Sequence, residues 1–228
     1  MLFFLQDLLD NPPALAAFVA AWGVAIVTGI GFHEFSHAWA ANELGDDTAA
    51  RRGRLTLNPL AHIDPVGIAM IAMVGFGWGK PTPVNPCRLR NGPKRGNMIV
   101  AAAGPISNFI FAAAAAIPLR VGLIDSVASV EQIQDASGEE IIGLFLFFII
   151  WMNILLGLFN LIPIHPLDGF KVALGILPDE LSQPLSRMSQ WGPALLMGLI
   201  LMSYLPGGPN PLGWFLGTVG VRVFDLIL

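Results

Sequence analysis

Two histidines and a glutamate stand together in the first long apolar stretch, His33-Glu34-Phe35-Ser36-His37. On a helix, positions i and i+4 share a face, so both imidazoles can reach one metal ion. Glu34 lies about 60–100° around the axis from them. Its carboxylate then sits beside such a metal, placed as a base for water rather than as a third ligand. The pattern is short, and its setting gives it weight. His33, Glu34 and His37 are the only ionisable residues between Ala14 and Glu43, and charge at membrane depth by default marks function.

A catalytic zinc takes three protein ligands and keeps one position open. Asp168, followed by Gly169 in Pro163-Ile164-His165-Pro166-Leu167-Asp168-Gly169, is the best third ligand, because glycine allows close backbone approach. His165 competes with it. His62, in Asn58-Pro59-Leu60-Ala61-His62-Ile63-Asp64-Pro65, is a weaker candidate and reads as an interface or loop residue.

The elements that must position these groups are membrane helices. Of 228 residues, 54% are hydrophobic and 12% charged, against about 25% charged in soluble domains. The net charge of −4 gives no reason to expect nucleic acid, and the single cysteine, Cys87, excludes a Cys-rich zinc site and an intrachain disulfide. Residues 1–13 lack the basic start of a cleaved signal peptide and read as an amphipathic turn at the interface.

The expected fold is an all-α polytopic membrane protein with four to six membrane segments, folded as one domain over 1–228. Spans are expected over 14–43, 97–119, 141–163 and 189–205, while 211–228 either spans or lies at the interface. Val66–Trp78 is too short to cross comfortably. It also lies between two basic segments, Arg51, Arg52, Arg54 and Arg88, Arg90, Lys94, Arg95, which the positive-inside rule keeps on one side. Residues 66–86 therefore read as a re-entrant or strand-like hairpin. The acidic loop over 125–140 belongs outside. With the N-terminus outside, spans one and three both end inside, which brings His33, His37 and Asp168 to the same cytosolic end.

These pieces resemble the site-2 protease family of intramembrane zinc metalloproteases. The matching segments are His33-Glu34-Phe35-Ser36-His37, Gly104-Pro105-x-x-Asn108, and Asn160-x-x-Pro163 leading into Leu167-Asp168-Gly169. They cover a catalytic core of about residues 14–175. The resemblance implies one Zn²⁺ per chain held by His33, His37 and Asp168, with Glu34 as catalytic acid/base. It implies a substrate or oxyanion role for Asn160 and Asn108. His165 departs from the pattern and is expected to be either a partner behind the ligands or a conditional ligand. No long insertion separates the spans, so PDZ and CBS modules are not expected. The substrate would be a membrane-spanning protein cut within or near its transmembrane segment, in the lipid bilayer of a prokaryotic plasma membrane. Gly77, Trp78, Gly79, Lys80 and Pro81 offer a strand edge that could pair with unwound substrate, or a loop that plugs the bundle. Two other classes compete: a zinc or divalent-metal transporter, and a non-catalytic relative that binds membrane proteins.

Overall fold

The structure, a computed structural model, describes residues 12–74, 77–125, 139–205 and 207–228. Of the interfacial turn expected over 1–13, residues 1–11 lie outside the described residues, as does most of the acidic loop at 125–140. No strand occurs among those described.

Helix α1 runs Pro12–Glu43, 32 residues or about 48 Å. It ends where Gly45 takes φ of 97°, letting the Asp46 and Gly45 amides turn back onto the Ala41 and Asn42 carbonyls. Helix α2, Pro65–Val74, is capped by Asp64, which accepts from the Val66 and Gly67 amides. At ten residues it reaches about 15 Å. The chain then returns in extended form, and the Lys80 amide bonds to the His62 carbonyl at 2.7 Å. A Cβ on Gly67 would collide with the Trp78 carbonyl, and one on Gly77 with the Gly67 carbonyl. The expected hairpin at 66–86 is therefore a helix paired backbone-to-backbone with an extended arm, and not two strands.

Helices α3, Gly92–Arg120, and α4, Glu139–Asn160, complete the central bundle. Small residues of α1 and α3 face large ones of α4. Ala21 and Ala25 pack on Leu144, Phe148 and Ile149, and Ala112 and Ala116 on Ile150 and Ile154. This lets the helices approach closely where no hydrophobic drive separates protein from lipid. The outer faces carry exposed Ile106, Ile110 and Ile117. Among the described residues, three helices are long and apolar enough to cross a membrane: Phe18–Glu43, Gly92–Arg120 and Glu140–Asn160.

Short α5, Asp168–Ile176, packs on α3, and α6, Asp179–Arg187, follows. The expected span at 189–205 is a 3-10 turn at Met188–Trp191 and an 11-residue helix, α7, Gly192–Met202. Gly192-Pro193 starts a new helix there, because proline lacks the amide that would continue the turn. Helix α8, Pro211–Ile227, lays Leu216, Val219 and Val223 against the α3–α4 cluster.

Candidate active site

Helical spacing sets His33 and His37 on one face of α1, with ring centroids 4.6 Å apart. Asp168, the first residue of α5, meets them from across the bundle. Its Oδ2 lies 3.0 Å from Nε2 of each histidine. All three residues are buried. The start of α5 can reach this depth because position 169 is glycine, where a Cβ would strike the Leu161 carbonyl at the end of α4. The rings in turn need Gly104 of α3. A Cβ there would stand 2.5 Å from His37 Nε2 and 2.7 Å from His33 Cε1.

The far side of each ring is tied. His37 Nδ1 donates to the Val100 carbonyl and His33 Nδ1 to Asn108 Oδ1, both at 2.7 Å. Those acceptors fix the ring protons on Nδ1, so in the neutral rings both Nε2 atoms present lone pairs. Two lone pairs and a carboxylate oxygen then converge, three electron-pair donors with no proton between them. Such a set fits a cation, and its ligand atoms lie within 4.8 Å of one another. Lys171, one turn along α5, sits 3.3 Å from Asp168 Oδ1 and so leaves Oδ2 for the histidines.

Glu34 lines the same cleft, of about 670 Å³, together with Gly77, Trp78, Gly79, Pro81, Asn160 and Lys171. Its Oε2 accepts the Thr82 amide at 2.7 Å, and its own carbonyl accepts the Thr82 hydroxyl at 3.0 Å. The flanking Pro81 and Pro83 hold Lys80 and Thr82 extended, which aims the Thr82 amide at the carboxylate. Arg54, buried, braces this arm from behind by donating to the carbonyls of Ala61, Lys80 and Pro81.

Several expectations from sequence meet different surroundings. Asn108 is fully buried, bonded to His33, Asn153 and the Gly29 carbonyl, and does not line the cleft. His165 stacks edge-on against Phe170 and makes no described bond to the ligands. His62 is buried and bonds through Nε2 to the Thr56 carbonyl, away from the histidine pair. Asn160 does line the cleft, with one amide hydrogen on the Leu156 carbonyl. Within the substrate-pairing segment the Lys80 amide is already taken, as is that of Thr82 just beyond it. Thr82, Arg54 and Lys171 were not singled out by sequence. The Pro-Thr-Pro run and an arginine beside an apolar hairpin were the available signals.

The family model of peptidase family M50 matches residues 121–204, a stretch that holds Asn160 and Asp168 but not the histidine pair. The chain is 36% identical over 176 residues to the "Putative zinc metalloprotease YwhC" of Bacillus subtilis, covering 74% of each protein. It is 28% identical over 211 residues to the "Putative zinc metalloprotease Rip2" of Mycobacterium tuberculosis, covering 91% of this chain and 73% of that one. No solved structure matches. Taken with a histidine–aspartate group that could hold a metal and three apolar helices, these likenesses assign the chain to peptidase family M50, the site-2 protease family.

Proposed function

We propose that the protein is an intramembrane zinc endopeptidase that cuts a peptide bond within or near a transmembrane segment of another membrane protein. The observation that carries this reading is the approach of two histidine Nε2 atoms to one oxygen of Asp168, in a cleft that also holds Glu34. His33, His37 and Asp168 would hold the ion. When bound, zinc supplies Lewis acidity toward water and the scissile carbonyl.

The chain's own residues do the rest. Glu34 takes a proton as water adds to the amide carbon, then gives it to the leaving nitrogen as the C–N bond breaks. The Thr82 amide holds one Glu34 oxygen, which orients the carboxylate and leaves the other for proton transfer. Asn160 positions the substrate carbonyl through its remaining amide hydrogen. The apolar walls, Ile30, Leu156, Phe159 and Leu196, exclude bulk water from the reacting bond. The extended arm at 77–84 receives unwound substrate through the backbone groups that Arg54, Glu34 and His62 do not occupy.

The site lies toward the end of the bundle where α1 finishes and α3 begins, alongside Arg51, Arg52, Arg88 and Arg95. That basic end is the cytosolic one by the positive-inside rule, in a prokaryotic plasma membrane. The test is cleavage of a synthetic transmembrane peptide by purified, zinc-loaded protein. Wild type should yield two fragments by mass, and Glu34→Gln none. Equal cutting by Glu34→Gln would sink the proposed proton carrier.

A further inference from the structure

A chain of buried amides runs from the third span of the bundle to the first. Asn153 of α4 donates from Nδ2 to the Ile149 carbonyl at 2.9 Å. Its Oδ1 accepts from Asn108 Nδ2 of α3 at 3.1 Å. Asn108 Nδ2 also donates to the Gly29 carbonyl of α1 at 3.2 Å, and Asn108 Oδ1 faces His33 Nδ1 at 2.7 Å. Both asparagines are 0% exposed.

The direction of every bond in this chain is forced. A backbone carbonyl only accepts, so the Gly29 and Ile149 oxygens fix which side of each amide bears nitrogen. With Nδ2 of Asn108 committed to Gly29 and Asn153, its oxygen must face His33. An oxygen there can only accept, so His33 carries its proton on Nδ1 and presents Nε2 as a lone pair. Gly29 makes room for the arrangement, since a Cβ at that position would stand 3.1 Å from Asn153 Oδ1 and 3.5 Å from Asn108 Nδ2. Two amides with no solvent and no cleft contact are costly in an apolar bundle unless each bond is made.

We infer that Asn153 and Asn108 are positioning residues whose relay locks the His33 tautomer and orientation, and thereby sets the metal affinity of the site. The inference rests on the metal reading of His33, His37 and Asp168. Neither asparagine touches substrate. Each acts through a ligand, as partners behind metal-bound histidines do.

The test is zinc affinity by chelator competition on the detergent-purified full chain, together with ¹⁵N NMR of the zinc-loaded, histidine-labelled wild type. Asn108→Leu should bind zinc about 10–100-fold more weakly. Asn108→Asp keeps an oxygen for His33 Nδ1 and should bind far more tightly than Asn108→Leu. Asn153→Leu leaves the Asn108 Nδ2 held by Gly29 alone and should fall between wild type and Asn108→Leu. The NMR should find the His33 proton on Nδ1, a result that stands even if a variant fails to fold. Wild-type affinity in folded Asn108→Leu or in Asn153→Leu, or zinc on His33 Nδ1, overturns the relay. A wild type that takes up no zinc at all overturns the metal reading beneath it.

Discussion

Thr82 is fastened to Glu34 twice, by its amide to the carboxylate at 2.7 Å and by its hydroxyl to the Glu34 carbonyl at 3.0 Å. Between Pro81 and Pro83 it holds the sole amide hydrogen of that stretch. The extended arm and the proposed proton carrier are therefore one mechanical unit, although 48 positions separate them. The bond has two separable parts. Thr82→Val keeps the amide and should lower kcat only a few-fold. Thr82→Pro removes the amide and should lower it about tenfold or more, since a hydrogen bond to a charged group contributes about 1.5–3 kcal/mol. Zinc content should stay at the wild-type level in both. Steady-state kinetics beside elemental analysis reads the two effects apart.

Arg54 is the clamp behind that arm. Arg54→Met strips donors from three carbonyls, those of Ala61, Lys80 and Pro81. Its expected effect is a loss of about 2–3 kcal/mol, with hydrogen exchange at the Lys80 and Thr82 amides rising more than at amides in the middle of α3. Equal exchange in wild type and variant would contradict the clamp.

Gly104 carries the packing demand beneath the two histidine rings of the proposed metal centre. Gly104→Ala places a methyl 2.5 Å from His37 Nε2 and must push the rings aside. Zinc affinity should fall at least about tenfold, while helical content by circular dichroism stays near wild type. Gly23 has open space at the same test, so Gly23→Ala should bind zinc normally.

Asp46 ties the end of α1 to the loop before α3. Burial pushes its carboxyl up, but hydrogen bonds from the Thr48 hydroxyl and from the Asn85 and Thr48 amides, with the Arg88 guanidinium nearby, bring it below the usual carboxylate range. Its folded pKa thus lies under the unfolded one. The stabilisation is full above the unfolded value, at about pH 4, and is lost as pH falls through the folded value. Asp46→Asn should cost about 1–3 kcal/mol at pH 7, and the gap to wild type should close in acid. Thermal melts across pH 2–7 follow it.

Much of this site is legible in the sequence because helical period does the placing. His33 and His37 share a face by spacing alone, and the alternation of basic and acidic loops brings Asp168 to the same end. The glycine after Asp168 ranks it above His165, and the resemblance to site-2 proteases implies the same ligand. Asn108 was harder. An asparagine in an apolar span signals function, but only the packed neighbours decide whether it turns to the cleft or, as here, to His33. The stretch at 66–86 mixes glycine with apolar residues over a length that suits a strand or a short helix, and the Asp64 cap and Pro65 start favour helix for its first arm. Arg54 and Thr82 act through loop carbonyls and amides, for which residue spacing carries no period to read. The expected span at 189–205 is shortened to Gly192–Met202, because Gly192-Pro193 restarts the chain near its beginning and Ser203 caps the helix.

In the proposed reading His33, His37 and Asp168 hold one zinc ion. Elemental analysis of purified wild type, Glu34→Gln and Asp168→Ala tests it most directly. About one zinc per chain is expected in the first two, as for a three-ligand site, and almost none in Asp168→Ala. Undiminished zinc in Asp168→Ala, or none in wild type, would contradict it.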